Sequence, residues 1–95
     1  MDNTLNEAVR GNAAQQLLDN EIYKEAITKV HDGILNAMKS APMGDEKTHN
    51  RLVIALQLLA QIERHIEDIA NTGRMARIQM EEKSLRNKIR KIAGF

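Results

Sequence analysis

The sequence predicts an all-α fold: an antiparallel helical hairpin with a short N-terminal helix and a basic amphipathic C-terminal helix, completed by oligomerisation. Three observations carry this expectation. Apolar residues between positions 52 and 69 alternate by three and four, and the clear turn Ser40-Ala41-Pro42-Met43-Gly44-Asp45 separates two stretches of helical length. The apolar content of 42% is also carried almost without aromatic side chains, Tyr23 and Phe95 being the two present. Aromatic residues supply the large buried areas of compact cores, so their scarcity suits thin helix-on-helix packing whose seam another copy of the chain completes.

At 95 residues the chain is read as a single helical domain, 1–95, in a size range where a lone core is thin. A first, short helix is expected over 4–19. Thr4 and Glu7 have the spacing of a capping box, and Leu5, Val9, Ala13 and Leu17 follow at i, i+4 steps interrupted by Gly11. Asp19-Asn20 reads as a break, because both residues favour caps over helix interiors. The first arm of the hairpin, 20–40, carries Tyr23, Ile27, Val30, Ile34 and Ala37 on one stripe, widened by Ala26, Leu35 and Met38, with Glu25 and Lys29 placed as a favourable i, i+4 pair.

In the turn, Pro42 restricts Ala41 to extended backbone and Gly44 permits positive φ. Asp45 can cap the second arm, 45–72, where Leu52, Ala55, Leu59, Ile62, Ile66 and Ile69 keep a strict heptad alternation with Leu56 alongside. Asn71-Thr72-Gly73 reads as a candidate helix stop. Beyond it Met75, Ile78, Leu85, Ile89 and Ile92 resume helical spacing, predicting a last helix over 74–93 whether or not Gly73 bends the chain. The expected oligomer or partner seam is therefore Leu52, Leu59, Ile62, Ile66 and Ile69 in the second arm, continued by Ile78, Leu85 and Ile89.

The formal net charge of +1 hides an asymmetry. From residue 74 onward seven bases stand against two acids, while the rest of the chain has seven bases and eleven acids. The seven bases flank the apolar stripe, with Arg74, Arg77, Lys88 and Lys91 on one shoulder and Lys83, Arg86 and Arg90 on the other. Such a concentration is the expected footprint of a polyanion such as nucleic acid, or of an acidic protein surface on another subunit. No apolar run approaches the roughly 20 residues that span a bilayer, the start of the chain lacks a signal-peptide pattern, and a cytoplasmic location is expected.

The run Leu17-Leu18-Asp19-Asn20 leading to Glu25-Ala26, then Ala41-Pro42, Asp45, Arg51-Leu52, Ala55-Leu56, His65-Ile66-Glu67 and Thr72-Gly73-Arg74-Met75-Ala76, is similar to short helical proteins of tailed phages and prophages. These are encoded near packaging and head genes and mostly lack an assigned activity. The resemblance spans about residues 13–77 and rests on apolar helix positions and a turn, so no site residue transfers from it. It implies a protein of the host-cell cytoplasm or the virion. The break near residue 20 lacks the proline common in such sequences, which leaves the first helix boundary open.

The residues offer little for catalysis. Glu46-x-x-His49 has the spacing of one half of a di-iron motif, but such sites need two copies and further inward carboxylates. Its simpler role is acidic charge at a helix start. His31 and His65 read as surface or hydrogen-bonded histidines. There is no cysteine, no Gly-rich phosphate loop, and only Ser40 and Ser84 as serines, so no enzyme activity, metal or cofactor is expected.

Three functional classes follow. The first is a non-enzymatic interaction and oligomerisation protein, pairing with itself and with a protein partner in particle assembly or DNA packaging. The second is a subunit resembling a small packaging terminase that holds DNA through residues 74–95 by phosphate contacts. The third is a phage protein that binds and inhibits a host component. The absence of a recognition-helix pattern and of stacking aromatics weighs against base-specific readout.

Overall fold

The computed structural model describes residues 3–94 and is all-helical, with no strand among the described residues. Three helices follow one another: α1 (Thr4–Asp19), α2 (Glu21–Ser40) and α3 (Glu46–Ile92). Contacts group Leu17–Ile66 into one compact unit, and the residues up to Gln16 with those from Glu67 onward into a second.

Each helix starts at a side chain or backbone group that the sequence supplies. Glu7 N donates to Asn3 O at 2.9 Å, so Asn3 rather than Thr4 occupies the cap position of α1. A single residue, Asn20, separates α1 from α2. Its ψ of 126° breaks the helical path, and its Oδ1 accepts from Tyr23 N at 2.9 Å. This cap does what a proline would do in its place: it ends one helix and begins the next. Lys29 Nζ lies 3.0 Å from Glu25 Oε1 on the exposed side of α2, where such a pair contributes a few tenths of a kcal/mol.

α2 ends at Ala41, whose ψ of 140° is the extended conformation required before Pro42. Asp45 N donates to Pro42 O at 3.0 Å, and His49 Nε2 lies 3.0 Å from the same carbonyl, within donating reach in the tautomer protonated there. The turn is closed without a left-handed residue: Gly94 is the one described glycine with positive φ, so Gly44 does not use the freedom the sequence suggested.

Asp45 caps α3. Its Oδ2 accepts from Thr48 Oγ1 at 2.6 Å and its Oδ1 from Thr48 N at 3.2 Å. These bonds favour the ionised form and hold the carboxyl below its ordinary value, the side-chain bond first and the backbone bond second, with desolvation opposing them. A depressed folded-state pKa means the unfolded chain binds the extra proton as acid is added. The cap's contribution is therefore complete above the ordinary carboxylate value of 3.8 and is lost as pH falls through the lower folded value. Asp45→Asn is expected to flatten this acid limb of a pH–stability curve. An acid limb identical in the variant and the parent would show that Asp45 does not carry it.

α3 runs without interruption through Asn71-Thr72-Gly73, so the segments read as 45–72 and 74–93 are one helix of 47 residues, about 70 Å long. Gly73 is buried, and its role is to allow close approach. A Cβ on Gly73 would stand 2.7 Å from Glu7 O and 3.0 Å from Gly11 N, and would collide with Gly11 Cα. A Cβ on Gly11 would meet Gly73 N and Ile69 O, each at 3.0 Å. The second unit is thus held where two glycines let the backbones of α1 and α3 touch. Ala8 and Ala14 on α1 and Ala70 and Ala76 on α3 extend the contact to either side, and all four are buried.

The amphipathic stripe read on α1 is accordingly not its packing face. Leu5, Val9 and Leu17 are exposed, Val9 at 61%, because the backbone contact at Gly11 leaves no room for large side chains on the inward side. In the first unit the half-buried face of α2 is Tyr23, Ile27, Ile34, Leu35 and Met38, while Val30 and Ala37 lie outside it.

Candidate interaction site

The seam residues divide between inside and outside. In the first unit Leu59 is buried and Leu52 and Ile66 are half-buried, but Ile62 is 55% exposed. The inward stripe of α3 there is Leu52, Ala55, Leu56, Leu59, Glu63 and Ile66, with Leu59 buried and the others half-buried. Ala55 and Ile62 lie on one shoulder of the 52-59-66 line and Leu56 and Glu63 on the other. The structure half-buries both residues of the second shoulder but leaves Ile62 of the first exposed. Ile69, in the second unit, is half-buried beside Ala70.

Val53, Leu56, Gln57, Leu59, Ala60 and Glu63 line a shallow groove of about 370 Å³ together with His31 of α2. His31 Nδ1 lies 3.5 Å from Asp32 Oδ1. The groove has one imidazole and one carboxylate and no hydroxyl, thiol or amine for them to activate. Among the described residues no group of three or more metal-ligating side chains comes together, and no helix is long and apolar enough to cross a membrane. Glu46 and His49 sit in the first turn of α3, where His49 is engaged with the turn carbonyl.

From Arg77 to Gly94 every described residue is exposed. Ile78, Leu85 and Ile89 remain on one side of this helical stretch, at 42%, 59% and 56% exposure, with Ile92 beyond them. The bases Arg77, Lys88 and Lys91 flank the stripe on one side, with Arg74 a turn earlier, and Lys83, Arg86 and Arg90 flank it on the other; all seven are exposed. Lys83, Lys88 and Lys91 also surround a shallow depression of about 500 Å³ with Met80, Ser84 and Asn87. Among the described residues none of the seven forms an ion pair.

Sequence reasoning missed the paired small-residue stripes, Ala8-x-x-Gly11-x-x-Ala14 and Ala70-x-x-Gly73-x-x-Ala76. The signal is present as two copies of one spacing, but it carries little hydrophobicity and is invisible to a search for apolar periodicity. Comparison with protein families, curated proteins and solved structures finds no match for the chain.

Proposed function

We propose that this chain is a non-enzymatic helical interaction and oligomerisation protein of phage origin, acting in particle assembly or DNA packaging. It would work in the host cytoplasm or in the virion. In this reading α2 and the first half of α3 form an antiparallel hairpin, supported by the five-residue connection between them and their place in one compact unit. The second half of α3 offers a seam to a protein partner. The observation that carries the proposal is the stretch from residue 77 to 94, exposed throughout, which keeps Ile78, Leu85 and Ile89 in helical register at 42%, 59% and 56% exposure. An isolated helix of that length is marginal in water, so its apolar side calls for a covering surface.

A second reading is favoured by the seven exposed bases: residues 74–95 hold DNA through phosphates, as a subunit resembling a small terminase would. The two readings separate by salt and by substitution. Phosphate binding through about six contacts falls roughly 10³-fold or more between 50 and 200 mM salt, whereas an apolar seam changes little. Arg77→Glu with Lys88→Glu and Lys91→Glu should abolish DNA retention and spare the seam. Ile78→Ser with Leu85→Ser and Ile89→Ser should do the reverse. We expect the serine variant to lose its partner in pull-downs from phage-infected or prophage-induced cells. Undiminished capture by the serine variant, together with loss in the glutamate variant, would favour the DNA reading.

A further inference from the structure

We propose that the end of α3 binds the phosphate backbone of duplex DNA through the side of the helix opposite its apolar stripe, which leaves the stripe free for a protein partner while DNA is held. This rests on the reading of residues 74–95 as a DNA-holding segment, and it turns a choice between two partners into a division of faces. At about 100° per residue, Ile78, Leu85, Ile89 and Ile92 fall within an arc of about 60°. Lys83, Ser84, Asn87 and Lys91 fall within an arc of about 100° whose middle lies about 160° from that of the stripe, with Lys88 at its edge. These five side chains, together with Met80, line one shallow depression, and all are exposed. Arg77 and Arg90 border the same side, whereas Arg86 lies beside the stripe. The acids are segregated as well. Glu81 and Glu82 are the two acids after residue 73, and both lie within about 50° of the middle of the stripe. The lysine side therefore has no carboxylate from residues 77–94.

Charge complementarity selects the occupant. Three lysines, with the Ser84 hydroxyl and the Asn87 amide as uncharged donors, form the kind of set that holds phosphates without reading bases. Lys83 to Lys91 spans about 12 Å of helix, comparable with about three phosphates of one strand at 3.4 Å of duplex axis each. A single strand would call for stacking side chains, and no aromatic residue stands between Tyr23 and Phe95. A bilayer surface fits less well. A helix lying in it buries its apolar stripe and extends cations from the shoulders. Here Glu82 sits within the stripe, between Ile78 and Leu85, so insertion would desolvate a carboxylate. It would also turn the lysine depression away from the lipid headgroups. A protein on the stripe can answer Glu82 with a cation of its own, while the opposite side meets the polyanion.

The test is fluorescence anisotropy of a labelled DNA duplex of arbitrary sequence, titrated with the full chain at low salt, joined to cysteine footprinting. Lys83→Gln with Lys91→Gln should weaken binding and reduce the salt slope by about two, one for each phosphate contact removed. Asn87→Glu should weaken binding several-fold. Gln79→Glu, the same change of charge on the flank of the helix, should stay close to the parent. The chain has no cysteine, so one introduced at Asn87 or at Leu85 is unique. Saturating DNA should shield Asn87→Cys from a maleimide and leave Leu85→Cys reacting at its free rate. The footprint uses the parent's own lysines, so it remains decisive if circular dichroism shows that a charge variant has lost helicity. Equal shielding at the two cysteines, or equal losses in the two glutamate variants, would overturn the two-sided helix and leave the DNA reading standing. A parent that ignores duplex DNA at low salt overturns both. Its retention on polyglutamate instead would assign the lysine side to an acidic protein, and binding to phosphatidylserine vesicles with Leu85→Cys shielded would assign the tail to a lipid surface.

Discussion

Gly73→Ala is expected to destabilise the protein by about 1–3 kcal/mol, the range for forcing extra atoms into a packed contact. It should lower the melting temperature by roughly 5–20 °C, on the scale of 4–8 °C per kcal/mol for a chain of this size. The sign is the informative part. In an ordinary helix interior the same exchange is worth about 0.5–1 kcal/mol in the stabilising direction, because alanine loses less backbone entropy. Here the added methyl would stand 2.7 Å from Glu7 O and against Gly11 Cα. Those are backbone atoms of another helix and cannot swing aside as the end of a side chain would. Gly11→Ala should behave alike, and the double variant should cost less than the sum of the two, since either methyl alone already forces α1 away from α3. Amide exchange should accelerate across α1 in both variants. Gly33→Ala, with open space around its added methyl, serves as the internal control and should hold or raise the stability of the helix. A Gly73→Ala protein that melts higher than its parent would contradict the backbone contact.

The behaviour of these glycines marks where the sequence is readable and where it is not. The helical class, the turn after Ser40 and the caps at Asn20 and Asp45 follow from local chemistry: a proline that forbids helix before it, and side-chain oxygens that satisfy the first amides of the next helix. Such signals act over three or four residues and survive whatever the rest of the chain does. Gly73 is different. A glycine that ends a helix by adopting positive φ and a glycine that lets two helices touch are identical in one dimension, and here the second holds. Thr4 and Asn3 differ by one position, and both are good caps, so local chemistry alone does not choose between them.

The packing faces were the hardest to read, for two related reasons. On α1 the buried side is Ala8, Gly11 and Ala14, and the larger Leu5 and Val9 point away, so a reading that follows hydrophobicity selects the wrong side. On α3 Ile62 and Glu63 sit on opposite shoulders of the 52-59-66 line, and the structure half-buries the charged Glu63 while the apolar Ile62 stays exposed. An apolar residue left outside in this way is unspent hydrophobic surface, available for another chain. The seven bases after Gly73 were legible as a cluster from the start. Which chemistry they meet depends on a partner, and one chain does not encode that.

Leu59→Ala is the substitution expected to cost most in residues 17–66, about 2–3 kcal/mol, the low part of the range for truncating a buried leucine. Leu59 is 9% exposed and is the one large apolar side chain among the buried described residues; the others are alanines and glycines. The low part applies because the groove beside it, lined by Val53, Leu56 and Ala60, is open to water, so truncation enlarges a cleft rather than sealing an empty cavity. Ile62→Ala provides the comparison. The heptad reading gives Leu59 and Ile62 equal standing in one seam, whereas the structure leaves Ile62 55% exposed. The Ile62 variant should unfold within about 0.5 kcal/mol of the parent, as surface substitutions do. Urea unfolding of both variants reads the two losses side by side. Equal losses for Leu59→Ala and Ile62→Ala would restore the heptad seam.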